Sequence, residues 1–427
     1  LLKPYIRNLT LDQVHKAFKA CWQPDHRLVM VTGNARIENP GAESEILKTV
    51  QASSKEKVAA YRDIETKPFP YLDQSEKKGV IRERIDTARD LGIDTIVFQN
   101  NVRLNIKKTQ FKPNTFQIKV CFGPGKASEP LDKPGLAKLA ASVLSQSGLG
   151  QMDMDQLDQA LAGKKVHSNM GIRDSFFFYS GAGHPDDAAT LFQLVNHFFR
   201  DPGFSEKALS LAKIRYRQQY EKSERTLDGK MKIDGDRFLA GNDPRFGIPA
   251  PETLDQYTLE DIKNWILPHI SQAPIEISIV GDIDTDVMTQ LTARYLGSLS
   301  RREPFEKQPG KMGPVRFPHG EKRVLTVDTK IESAIARVAF LTDDFWDIAQ
   351  TRQLSLLAQV LSERVRKKIR EELGESYSPY VYNHASSIFK GYGVLHMVVK
   401  IQPGSQDLVF EKLEAIVDSV LSSGITE

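Results

Sequence analysis

The segment "IREELGESYSPYVY", residues 369–382, holds a pair of side chains suited to polar chemistry on a carbonyl. Arg370 and Tyr377 stand seven positions apart, one before a glycine and one after it. A guanidinium presents a planar fork of donors and a phenol presents a single hydroxyl. On one rim, the two could donate to a peptide carbonyl or to the oxyanion that develops when water attacks it. A purely structural account is also available. Arg370 would be a cation favoured near a helix C-terminus, and Tyr377 an aromatic residue opening a strand. The residues by themselves leave both accounts open.

No second site competes with this pair. The nine histidines include no two that are four positions apart, so neither His-x-x-Glu-His nor its inverse occurs, and there is no Cys-x-x-Cys. His197 in "LVNHFFRD" reads as a surface or half-buried residue of an amphipathic helix. His184 in "GAGHPDD" reads as a turn residue ahead of a helix, and His396 as a sheet-face residue. The sequence assigns His184 and His197 no role. "GLGQMDMD" and "GAGHPD" are glycine-rich, but neither is a Walker loop or a complete Gly-x-Gly-x-x-Gly, and no Gly-x-Ser-x-Gly elbow occurs.

The elements around Arg370 and Tyr377 are legible. Leu354, Leu357, Leu361, Val365 and Ile369 recur at spacings of three and four, the apolar stripe of a long helix, with Gly374 as its stop. Arg370 follows the buried row and is turned about 100° from it. "SYSPYVYNHASS" and "GYGVLHMVVKIQP" read as a hairpin, and "LVFEKLEAIVDSVL" as a final helix. Ahead of the long helix, "RVLTVDT" and "AIARVAFL" read as strands.

The rest of the chain repeats this order. "TIVFQNNVRLNIKK" alternates on both sides of Asn100-Asn101, as a hairpin does, and Asn101 can enter the left-handed region such a turn needs. "TFQIKVCFGPG" and "SFFFYSGAG" are strands. "GLAKLAASVLSQSGLG", "AATLFQLVNHFFRD" and "EKALSLAKIRYRQQYEKSER" are helices, the last with a basic face. An internal repeat adds to this pattern. "LTLDQVHKAF" at Leu9 aligns with "YTLEDIKNWI" at Tyr257, and Leu11, Val14 and Gly33 match Leu259, Ile262 and Gly281 without a gap. Thr10 with Gln13 and Thr258 with Asp261 resemble capping boxes, and each copy then runs to an apolar strand, "RLVMVTGN" and "IEISIVGD", ending in glycine and a short polar residue.

These patterns predict an α+β chain of tandem homologous two-layer domains, each with helices against a largely antiparallel sheet. Residues 1–39 are expected to be the tail of a preceding homologous domain and 40–93 an interdomain linker. In the linker, Pro68 and Pro70 would stiffen the chain while Phe69 and Tyr71 pin it to a surface. Residues 94–303 form one α/β domain, 304–319 a connection, and 320–427 a second α/β domain cut short at its C-terminus. The start "LLKPYIRNLT", without Met, suggests a piece of a longer protein.

At 427 residues, with 58 basic and 55 acidic side chains and a net charge of +3, the composition gives no reason to propose nucleic acid or a charged membrane surface as partner. No apolar run approaches the roughly 20 residues that span a bilayer. Cys21 and Cys121 are too few and too far apart for a disulfide framework and are expected to be buried reduced thiols.

The combination of "LTLDQV…VMVTGN", "YTLEDI…ISIVGD", "PFPYLD", "NNVRLNIKKTQFKPN", "LAGKKVHSNMGIRDSFFFYSGAGHPDD", "NDPRFGIP" and "IREELGESYS" resembles the C-terminal half of the pitrilysin/insulinase family of zinc metallopeptidases. The likeness is to the long single-chain bacterial members. It implies four homologous α/β domains in two halves that close around an unfolded peptide. The zinc would lie in the first domain, which is absent from this sequence, so no metal and no catalytic residue is expected here. Arg370 and Tyr377 would then contact the bound peptide near the scissile bond. The implied partners are a peptide substrate and the N-terminal half of the same chain, with a dimer of the fragment open as well. The implied location is periplasmic or cell-envelope in a bacterium. The fragment alone would bind no zinc and cleave no peptide. The alternative is a peptide-binding or scaffold protein of the same fold that has lost the zinc motif, and the same motif in the missing half separates the two.

Overall fold

A computed structural model of the chain describes residues 6–23, 27–33, 37, 41–59, 67–73, 77–86, 89–305, 313–373 and 379–424, the side chains of 89 and 370–373 excepted. The chain divides into two units, residues 1–64 and 65–427.

The first unit contains helix α1 (Leu11–Cys21) and helix α2 (Ala42–Ser53). Thr10 caps α1 in a full capping box: its hydroxyl accepts from the Gln13 amide at 3.3 Å, and Gln13 accepts from the Thr10 amide at 2.9 Å. Residues 27–33 form no strand, against the sequence expectation. A strand needs a neighbour to pair with, and no strand is present among the described residues of this unit. Cys21 is exposed rather than buried for the same reason, since its helix has no sheet to cover it.

The second unit holds two sheets. The larger has seven strands: β1 (Ile81–Ile85), β2 (Asp94–Phe98), β3 (Val102–Lys108), β4 (Phe116–Phe122), β5 (Val166–Ile172), β6 (Phe177–Gly183) and β7 (Ile275–Gly281). Their order is β1-β2-β3-β7-β4-β6-β5, antiparallel except for β3 with β7. The hairpin at Asn100-Asn101 forms as read, with Asn101 at φ 67°. Both amides earn their burial: Asn100 donates to the Leu296 carbonyl at 2.9 Å and Asn101 to that of Arg302 at 2.7 Å.

Strands β3, β4, β6 and β7 alternate, so one sheet face is apolar and the other mainly polar. Helices α3 (Leu136–Gln146), α5 (Ala188–Arg200), α7 (Leu259–Gln272) and α8 (Thr285–Tyr295) contribute to one continuous core with the apolar face, through Leu104, Ile118, Val120, Phe177 and Ile277 among others. Helices α4 (Met154–Ala160) and α6 (Glu206–Glu224) complete the layer. Thr258 and Asp261 cap α7 reciprocally, as Thr10 and Gln13 cap α1. Gly281 ends β7 at φ 155°, where a side chain would strike the Thr115 carbonyl at 2.4 Å.

Strand β1 falls inside the stretch expected to be a linker. It is short and mostly exposed and has a bulge between Ile81 and Glu83, so it carries little alternation to read. Strand β5 and helix α8 also escaped the sequence reading. In β5, His167, Ser168, Asn169 and Gly171 dilute the apolar pattern.

The smaller sheet has the order β8-β10-β9, from β8 (Ala334–Thr342), β9 (Tyr380–Ala385) and β10 (Gly393–Ile401), all antiparallel. Helices α9 (Ile348–Leu373) and α10 (Gln406–Ser423) cover one face, with Leu361, Val365 and Ile369 of the predicted stripe buried. The expected strand "RVLTVDT", residues 323–329, does not form. The overall class is α+β, as predicted. No helix among the described residues is long and apolar enough to cross a membrane.

Candidate functional site

Arg370 lies in the last turn of α9, but its side chain, like Gly374 and Tyr377, is outside the described residues. What flanks the pair is defined. Ile369 is fully buried. Ser362 of α9 ties the helix to β9, accepting from the Val381 amide at 2.8 Å and donating to the Val381 carbonyl at 3.2 Å. On the opposite side of β9, Tyr380 and Tyr382 are 45% and 40% exposed and stack at 5.8 Å.

Among the described residues no core helix packs on the polar face of the larger sheet. Across the strands, one row runs Asn105, Ser278, Lys119, Ser180, Asn169, and the next runs Arg103, Glu276, Cys121, Phe178, Gly171. Toward β3 the face is partly covered, with Phe305 lying over the Arg103 guanidinium at 4.3 Å. Over β7, β4, β6 and β5 it is open: Ser278, Gln117, Lys119 and Asn169 are exposed. Small and polar residues at the centre leave room for a polypeptide to lie against the sheet. Glu276 is engaged within the face, by Arg103 at 3.5 Å and by the Asn105 amide at 2.9 Å. Lys119 reaches over Phe176 at 4.8 Å and Phe178 at 5.3 Å, and Arg173 stands 5.7 Å from Phe178. Burial pushes the half-buried Cys121 thiol up, with Lys119 opposing. This face was not recognised from the sequence, although the strict alternation in "QIKVCF" is the signal that one side of β4 is uncovered.

A second polar cluster ties the smaller sheet to residues 236–246. Arg337 of β8 donates to Asp236 at 2.9 Å and to Nδ1 of His396 at 3.1 Å. His396 is buried as well as stacked on Tyr382 at 4.6 Å, and burial beside a guanidinium drives its pKa down to about 3. It is therefore a neutral acceptor, and the expected sheet-face histidine is a junction residue. A cleft of about 290 Å³ opens next to it, floored by Phe246, Phe389 and Tyr392.

His197 is almost fully buried, where the sequence suggested a surface or half-buried residue. The segment 67–73 covers it. Phe69 and Tyr71 pack on the imidazole at 4.9 and 4.7 Å, so the expected pinning aromatics do pin this segment. The Leu72 amide donates to Nε2 at 3.2 Å, and Nδ1 meets the Gln193 carbonyl at 2.7 Å. Around it, Tyr71 donates to Asp201 at 2.9 Å and Arg200 to the Asp73 carbonyl at 2.8 Å. His184 caps the short turn at 185–187, accepting from the Asp186 amide at 3.2 Å.

The His197 geometry predicts a pH dependence. Nε2 accepts only while the ring is neutral, and desolvation holds its pKa below the ordinary value. The released segment would leave a histidine of pKa about 6.5. Docking is thus fully present above that pH and is lost as pH falls through the lowered pKa. Hydrogen exchange at the Leu72 amide, corrected for intrinsic rate, should quicken below about pH 6. Unchanged protection down to about pH 5 would mean that packing alone holds the segment.

Among the described residues no group of three or more His, Cys, Asp or Glu could hold a metal ion.

This fold is shared with the solved structure of a peptidase M16 inactive domain from Pseudomonas fluorescens. Residues 256–427 match the family model of the peptidase M16 inactive domain, the C-terminal type of domain in M16 proteases. The chain is 23% identical over 234 residues to the chloroplastic stromal processing peptidase of Arabidopsis thaliana, covering 54% of this chain and 18% of that protein. The periplasmic protease PqqL from Escherichia coli superimposes with a TM-score of 0.69 at 19% identity, over 91% of this chain and 42% of that one. The ferredoxin protease FusC, solved in complex with Arabidopsis ferredoxin, gives 0.67 at 16% identity, over 93% and 43%. The chain covers 18% of that Arabidopsis peptidase and 21% of the stromal processing peptidase of Oryza sativa subsp. indica, well under a third of either.

Proposed function

We propose that this chain is the substrate-binding half of a zinc-dependent endopeptidase that encloses unfolded peptides, and that it does not cleave them by itself. The observation that carries the reading is the uncovered polar face of the seven-stranded sheet, in a chain whose C-terminal part matches an M16 inactive domain. An enclosed peptide needs a wall that is polar, shallow and unobstructed, and small side chains at the centre of an open sheet meet that need. The zinc would be held by an N-terminal half of the same protein, and Arg370 and Tyr377 would contact the peptide near the bond that breaks. The FusC complex with a protein substrate supports a polypeptide ligand, and the periplasmic PqqL supports a periplasmic or cell-envelope location.

The proposed domain organisation has the boundaries given above, with residues 1–39 as the tail of a preceding homologous domain. It draws support from two helices of the repeat. Leu259, Ile262 and Ile266 of α7 are 7%, 0% and 0% exposed, against 86%, 52% and 57% for their equivalents Leu11, Val14 and Phe18 of α1. The same stripe is buried where its sheet is present and bare where it is not.

Calorimetric titration of the chain with an unstructured neutral peptide tests the reading. Saturable binding is expected, and Ser278→Trp, which fills the middle of the open face while leaving the core untouched, should weaken it at least tenfold, the scale of a lost favourable contact of about 1.4 kcal/mol. Absence of saturable binding by the unaltered chain would overturn the proposal.

A further inference from the structure

The open face is not electrically neutral. Its one acid within strands β3, β7, β4, β6 and β5, Glu276, is already engaged by Arg103 and Asn105. Lys107 and Lys119 share the face, and Arg173 follows β5 beside Phe178. Lys119 stands at the centre of its row, opposite Ser278 on one side and Ser180 on the other. Its ammonium rests over two aromatic rings rather than on a carboxylate, an arrangement that holds the charge in place without cancelling it. Ser278 and Ser180 flank it along the row, so an incoming carboxylate can approach it from the side away from the rings.

We propose that this face selects extended polypeptide segments rich in Asp and Glu, with Lys119 as the residue that sets the preference. The inference rests on the peptide-binding reading above and names the class of substrate within it. Carboxylates spaced along an extended chain meet the cations of the face one after another, and each exposed pair adds a modest increment. A protein ligand fits better than a nucleic acid. The whole chain carries only +3, and the cations lie singly among hydroxyls rather than in the dense stripe that tracks phosphates.

The test uses the full chain and three fluorescent, unstructured peptides of one length, identical except for Glu, Gln or Lys at every third position. Anisotropy titration at low salt is expected to rank Glu first, by roughly tenfold over Gln, and Lys last, from a few exposed pairs acting together. About 0.5 M salt should close most of the gap. Lys119→Gln should cut the Glu-to-Gln ratio roughly threefold, the scale of one exposed pair. Lys119 is exposed, so Lys119→Gln is expected to lower the melting temperature only slightly, through its lost contacts with Phe176 and Phe178, and the salt dependence of the unaltered chain tests the idea without any variant. Equal affinities for the Glu and Gln peptides would overturn the charge preference and leave peptide binding standing. Failure of all three to bind would overturn both. A single-stranded oligonucleotide of equal charge that bound as tightly as the Glu peptide would overturn the assignment to protein.

Discussion

Replacing Tyr377 by Phe in the full-length protein is expected to lower peptide turnover by about 100-fold, the typical loss for one oxyanion donor. The substitution removes one hydroxyl and no carbon, so the melting temperature should hold within a degree or two. The expectation rests on the proposed contact of Arg370 and Tyr377 with the peptide near the bond that breaks. Ile369 continues the buried row of α9, and the next residue is Arg370. Ser362 pins the same helix to β9, whose exposed Tyr380 and Tyr382 begin three residues beyond Tyr377. Ser362 therefore ties the body of α9 to the start of β9. Arg370→Lys keeps the charge but loses the planar fork, and should be impaired as well. Unchanged turnover with a lowered melting point would make Tyr377 a packing residue.

Phe177→Ala is expected to cost about 3–5 kcal/mol of unfolding free energy, a large share of the ~5–15 kcal/mol that holds a typical domain together. Phe177 is fully buried on the helix side of β6, with ring centroids 5.4 Å from both Phe122 and Trp265 and 5.2 Å from His269. Its truncation opens a cavity that three aromatic neighbours cannot easily fill. The adjacent Phe178 is on the other face, beside Lys119 and Gly171. Phe178→Ala should cost only about 1 kcal/mol, the scale of a surface cation–π contact. Urea denaturation of both variants checks the pair. Similar losses would mean that the two faces of the sheet are not the apolar and open faces described.

Most of this fold can be read from periodicity. The stripe Leu361, Val365, Ile369 and the capping box at Thr258 gave their helices correctly, and Asn100-Asn101 its hairpin. The misses share a cause: a strand that depends on partners rather than on its own pattern. Residues 27–33 and 323–329 look like strands but pair with no strand among the described residues, whereas β1 looks like linker and pairs with β2. The candidate site was harder to see. Alternation in "QIKVCF" shows two faces, but only the tertiary arrangement shows that helices take one and leave the other bare. Arg337 with His396, and His197 under residues 67–73, join positions far apart in sequence, and no local spacing announces them.

The two cysteines allow the central claim to be tested without altering the chain. Cys121 is half-buried on the open face between Glu276 and Phe178, while Cys21 is exposed in the other unit. Alkylation of each thiol can be followed by mass spectrometry, with and without a saturating unstructured peptide. If the open face binds the peptide, Cys121 should be alkylated several-fold more slowly in its presence while Cys21 reacts as before. An unchanged Cys121 rate at saturation would contradict the account, because a peptide bound elsewhere leaves that face bare.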